Sequence, residues 1–159
     1  MLLKQFVEQK VTCYHKGFET WQDAVRASGQ PLIDQGYINS QYVDRVISCV
    51  DKFGPYIVIA EDIAMPHSTE GSEGVFKTTI GFMRLEEPVH FDASDPTKDA
   101  RLFFMLAACN HEEHMANMVQ LVEMLMNEEL RKDLLNATCD EDLLLLDKKY
   151  SEANEKKDG

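Results

Sequence analysis

The sequence predicts an α/β (α+β) sandwich, a mixed β-sheet with helices on both of its faces. Three observations carry this reading. Apolar residues recur at helical spacing before Gly54, short β-branched or doubly apolar runs fill residues 56–108, and helical spacing returns after Asn110. At 159 residues the chain is the size of one domain, able to bury roughly two thirds of its unfolded surface without disulfide or metal support. We place the domain at residues 1–150 and read the charged stretch 151–159 as a frayed tail.

Thr20 is placed to cap a helix carrying Trp21, Ala24, Val25, Leu32 and Ile33, with Gly29 and Pro31 expected to kink or split it and Gly36 closing it. Ser40 reads as the next N-cap, ahead of Val43, Val46, Ile47, Val50 and Phe53, and Gly54-Pro55 ends that helix. Residues 56–60, YIVIA, form a short β-branched run between turn residues and predict a strand. A second strand is expected at 78–85, a short third at 88–91, and a central one at 101–108, where RLFFMLAA is apolar on both faces. Loops rich in Gly, Ser, Asp or Pro occupy 68–74 and 92–99. Beyond Asn110, the spacing of Met115, Met118, Val119, Val122, Leu125 and Met126 predicts one buried helix face, with Met115, Met118, Met124 and Met126 as core filler. Further helices are expected at 128–136 and at 140–150, the latter burying 143–146.

Sixteen basic against 28 acidic residues leave a net charge of −12. Such an excess excludes binding to DNA, RNA or an anionic membrane surface, which rests on Lys and Arg neutralising phosphates. Partners are therefore small molecules or proteins. No run reaches the roughly 18 apolar residues that cross a bilayer, the start lacks the pattern of a secretory signal, and the four cysteines form no CxxC pair. Together these predict a cytoplasmic protein with no membrane insertion. The acids gather after residue 60, including Glu61, Asp62, Glu70 and Glu73. We expect them to face basic residues of protein partners and to govern encounter rates.

His67 stands out among five histidines because it follows Pro66 just after a predicted strand. Proline fixes its own φ and holds Met65 extended, so the chain enters His67 in a restricted geometry. His111 and His114 open the helix after the central strand, where free N–H groups and the helix dipole favour an anion. If the strands entering His67 and His111 are parallel neighbours, one site collects a nucleophilic imidazole, a second imidazole and helix-end donors. That set suits a phosphoryl group. A neutral imidazole can attack phosphorus, and the phosphoramidate passes the group onward. Each histidine alone is more often an exposed or capping residue. A zinc site from Cys109, His111, His114 and His67 is weighed against this, but the spacing matches no zinc pattern.

The residues FGPYIVIA at 53–60, IAMPH at 63–67, the loop 71–75, PVHF at 88–91, Asp95-Pro96, and His114 in its helix resemble the enzyme IIA domain of the mannitol/fructose class (type-2 EIIA) in the bacterial sugar phosphotransferase system. The ascorbate-specific members are the most similar, and TWQDAV at 20–25 also resembles their N-terminal helix. The resemblance covers about residues 1–150. It implies the mannitol-type enzyme IIA fold, a phosphoryl group accepted on His67 from the phosphocarrier HPr and passed to a cysteine of a cognate enzyme IIB with its membrane enzyme IIC, and support of that group by His114. It implies no metal and no organic cofactor. An arginine common upstream of the motif in the mannitol/fructose branch is replaced here by Asp51-Lys52, which favours the ascorbate branch and leaves Lys52 as a substitute. Ser68 stands where the family often has glycine and is a possible phosphoryl contact, His111 is a neighbour of the site, and an apolar rim around Ile63 and Met65 is expected to dock partners. The alternatives are a regulatory module phosphorylated as a signal, or an enzyme IIA for mannitol, fructose or another pentitol.

Overall fold

The computed structural model describes residues 2–158, with side chains through Glu152. In chain order it contains α1 (Leu2–Glu8), β1 (Thr12–His15), α2 (Trp21–Asp34), α3 (Ser40–Phe53), β2 (Val58–Ala60), β3 (Asp62–Ala64), β4 (Thr79–His90), a 3₁₀ turn (Pro96–Lys98), β5 (Asp99–Ala107), α4 (His111–Leu125), α5 (Glu128–Leu135) and α6 (Asp140–Asp158). The five strands make one sheet in the order β1-β4-β5-β3-β2. β1 runs parallel to β4 and β3 parallel to β5, while β4–β5 and β2–β3 are antiparallel. The predicted α/β sandwich with a mixed sheet is the observed architecture.

Alternation along the strands proves that helices cover both faces. On β4, Phe82 stacks on Phe6 of α1, while the neighbouring Gly81 lies so close to α2 that an added Cβ would sit 2.4 Å from Leu32. On β5, Phe104 meets Phe6, and Met105 reaches Gly29 of α2. Successive side chains point to opposite faces, so α1 and α2 lie on opposite sides. α3 packs beside α2, and α5 joins the α1 side, where the Leu135 carbonyl accepts a bond from the buried Arg84 on β4. β5 is buried from Leu102 to Ala107, as its doubly apolar run predicts.

Several expectations are corrected. α2 runs unbroken through Gly29 and Pro31, because Gly29 lets it press against Val43 of α3, where a Cβ would sit 2.7 Å from that side chain. Asn39, not Ser40, caps α3, its side chain accepting the Tyr42 N–H. Residues 56–60 supply only a three-residue strand, β2. Asp62, with φ 66°, then turns the chain back into β3. The two strands expected at 78–85 and 88–91 are one, β4, whose pairing with β5 shifts between Arg84 and Val89 and so tolerates Pro88. On α6, Leu143 is buried but Leu145 is 66% exposed; the helix itself is assigned from Asp140 to Asp158. No helix among the described residues is long and apolar enough to cross a membrane.

Candidate functional site

β3 and β5 point the same way, with Ile63 opposite Leu102 and Ala64 opposite Phe103. Their C-terminal ends therefore open side by side. The pairing persists one step beyond β3, where the Leu106 N–H donates to the Pro66 carbonyl at 2.9 Å. Pro66 has no N–H of its own, so the ladder stops there and His67 is the first residue to leave the sheet. From the end of β5 the chain passes Cys109 and enters α4, capped by Asn110, whose side chain accepts the Glu113 N–H at 2.8 Å. His114 sits one turn into that helix. Its ring centroid is 5.4 Å from that of His67.

The His67 ring is oriented by a 2.6 Å bond from Nδ1 to the Met65 carbonyl. A carbonyl only accepts, so Nδ1 carries the proton and Nε2 keeps its lone pair. Burial pushes the His67 pKa below the ordinary histidine value, with the Met65 bond opposing part of the shift. The His114 pKa is lowered too, first by burial and then by the charges of His67 and His111. Both rings are thus neutral near pH 7. One imidazole carries a nucleophilic nitrogen and the other a ring able to take up a proton as negative charge arrives.

A profile of the family described as "Phosphoenolpyruvate-dependent sugar phosphotransferase system, EIIA 2" matches residues 5–149. The chain belongs to this family. It is 30% identical over 138 residues to a mannitol-specific cryptic phosphotransferase enzyme IIA component of Escherichia coli, covering 87% of this chain and 91% of that one. It is 33% identical over 128 residues to an ascorbate-specific EIIA component of Mycoplasma pneumoniae, covering 80% and 78%. Among solved structures, a complex of the E. coli mannitol enzyme IIA with phosphorylated enzyme IIB matches with a TM-score of 0.73 at 29% identity, covering 87% of this chain and 93% of that one. This enzyme IIA is accordingly a phosphotransferase component.

Not every expected residue of this enzyme IIA joins the site. Ile63 and Met65 are each 1% exposed and cannot form a docking rim. Ile63 faces the core from β3, and Met65 continues the pairing by donating its N–H to the Ile57 carbonyl. A stripe of exposed apolar side chains runs instead along α4 and its C-cap, where Met115, Val119, Val122 and Met126 are in solvent while Leu121 and Leu125 are buried. Met115 and Met126 are therefore not core filler. His111 is exposed at the start of α4, and its proximity is the smallest of the three causes that lower the His114 pKa. Ser68 accepts the Glu70 N–H and lies 3.8 Å from the Cys49 sulfur, engaged within its own loop.

The acidic residues expected to await partners are partly satisfied inside the molecule. Glu70 pairs with Lys52 at 3.0 Å and Glu73 with Arg45 at 2.5 Å. Lys52 thus has a carboxylate partner already. Among the described residues, no group of three or more His, Cys, Asp or Glu could hold a metal ion. Sequence reading missed Tyr56, Tyr42 and Cys49, which hold the His67 loop from below. The only available signal is that Tyr56 follows the helix-ending Gly54-Pro55 in the FGPYIVIA run, where it reads as the first residue of a strand.

Proposed function

We propose that the chain is a phosphocarrier that takes a phosphoryl group from HPr onto Nε2 of His67 and passes it to a cysteine of its cognate enzyme IIB, which works with a membrane enzyme IIC in ascorbate uptake. The observation that carries this reading is the bond from Nδ1 to Met65, which leaves the Nε2 lone pair free beside His114. In the first step that lone pair forms a bond to phosphorus as the P–N bond to the HPr histidine breaks and its electrons return to the donor ring. In the second, the enzyme IIB thiolate attacks, the P–Nε2 bond breaks, and the pair returns to Nε2. Such transfer is governed by positioning and charge stabilisation. The arriving dianion raises the His114 pKa, so His114 becomes a charged hydrogen-bond donor to the phosphoryl oxygens. The positive end of α4 adds to this, offset by Glu112 and Glu113 in its first turn.

Ascorbate is favoured by the Phe53-Gly-Pro run and by Asp51-Lys52 in place of the arginine. Mixing the chain with phosphoenolpyruvate, enzyme I and HPr should give an acid-labile, base-stable phosphate, absent from His67→Ala. Equal labelling of that variant would overturn the carrier assignment. Transfer from the labelled protein to a panel of purified enzyme IIB proteins should be fastest to an ascorbate-type partner, and preference for a mannitol-type partner would replace the sugar.

A further inference from the structure

We propose that Tyr56 is the positioning residue of this carrier: its hydroxyl clamps the His67 main chain while its ring confines the imidazole to the orientation that presents Nε2. The inference rests on His67 as the phosphoryl carrier and concerns how its reactive tautomer is maintained.

The placement of Tyr56 begins at Gly54, whose φ of 83° ends α3 in a conformation open to glycine. A tight turn follows, with Tyr56 N–H donating to the Gly54 carbonyl at 2.8 Å and Val58 N–H to that of Pro55 at 3.1 Å. The next carbonyl, that of Ile57, accepts the Met65 N–H at 2.8 Å. This registers Tyr56 against the residues entering His67. Its hydroxyl donates to the His67 carbonyl at 2.5 Å. Its ring meets the imidazole at 5.2 Å between centroids and 85° between planes, an edge-on contact. Burial pushes the phenol pKa up, so the hydroxyl stays a donor across the neutral range.

Neighbouring bonds complete the clamp. The Pro66 carbonyl is held by Leu106, the His67 carbonyl by Tyr56, and the Ser68 N–H by the Tyr42 hydroxyl at 3.4 Å, which itself donates to the Leu106 carbonyl at 2.6 Å. The bond from Nδ1 to Met65 spans only two residues and exists only while the backbone between them is fixed. A loose imidazole favours the tautomer with its proton on Nε2, which has no lone pair there to attack phosphorus. Holding the chain at His67 therefore sets the fraction of molecules able to react, and Tyr56 acts on that fraction without touching phosphate.

Nitrogen-15 NMR of the unphosphorylated protein reads the tautomer directly, and transfer from phosphorylated HPr reads its consequence. In the wild type, Nδ1 should show the protonated shift and Nε2 the unprotonated one. In Tyr56→Ala the two shifts should converge, and the saturating rate of phosphoryl uptake should fall about tenfold or more at an unchanged half-saturating HPr concentration. Tyr56→Phe, which keeps the ring, should fall between. Circular dichroism and thermal unfolding establish that each variant is folded. Wild-type shifts and rate in folded Tyr56→Ala would overturn the proposal. Should that variant fail to fold, wild-type shifts and rate in Tyr56→Phe would overturn the hydroxyl clamp. A wild-type protein that takes no phosphate from HPr would sink the carrier reading itself, while the tautomer comparison would still decide the role of Tyr56.

Discussion

His67 leaves the sheet on a chain bonded at three consecutive residues, Pro66 to β5, His67 to Tyr56 and Ser68 to Tyr42. His114, by contrast, projects from a helix that reaches the core through Leu121 and Leu125 and leaves Met115, Val119, Val122 and Met126 in solvent. Under the proposed carrier role, the difference suits what each imidazole would have to do. An attacking nitrogen must be held close to its line of approach, where small misplacements cost large factors in rate. A supporting imidazole must gain a proton as charge arrives, and access to water allows that exchange. The same contrast separates the buried underside of α4 from its exposed apolar stripe, which begins one residue after His114.

The widest gap should appear in stability. Leu121→Ala should cost about 2–5 kcal/mol in denaturant unfolding through the cavity it leaves. Met126→Ala, on the exposed stripe at 74% exposure, should change stability by no more than about 0.5 kcal/mol. Equal costs would mean that the stripe is covered. Next comes His114→Ala, which should still accept phosphate on His67 but pass it to enzyme IIB about a hundredfold more slowly, in line with loss of one charge-stabilising donor. Unchanged transfer would remove that residue from the chemistry. The smallest effect concerns pH. Because burial lowers the His67 pKa from 6.5, uptake should stay flat as pH falls to that value. It should then drop about tenfold per unit only below the lowered pKa, where the lone pair is protonated. The sign for stability follows from the same shift. Below 6.5 the unfolded chain takes up protons that the folded imidazole resists, so the melting temperature should decline as the solution is acidified. A rate already falling between pH 8 and 7 would show that the imidazole is not shielded.

Much of the site could be read before the structure, because its logic is carried by local signals. Pro66 before His67 marks the end of a ladder, and Asn110 before two histidines marks a helix start. The doubly apolar run of β5 marked it as a central strand, whereas its parallel pairing with β3, the short strand that delivers His67, was only a condition of the sequence reading. What could not be read depends on tertiary contacts. α1 and β1 are short, and only Leu2, Leu3 and Phe6 of α1 are buried, so neither has a period long enough to detect. Ile63 and Met65 look like a surface beside the candidate site until the fold is seen to place both in the hydrophobic core. The apolar residues of α4 span more than one face, and spacing alone did not tell which face meets the core. Glu70 and Glu73 looked available to partners because Lys52 and Arg45, which neutralise them, lie on another element.

The parallel pairing of β3 with β5 also bears on how the molecule assembles. β4 and β5 are joined by a short connection and can pair as a hairpin early, but β3 lies on the far side of β5 and is separated from it by all of β4. Contacts of such sequence separation close late and slowly. His67 and His114 consequently become neighbours only when this non-local ladder is complete. Phosphate uptake in a refolding experiment would then follow the final ordering of the sheet rather than the growth of helix, making the chemistry itself a clock for the last step of folding.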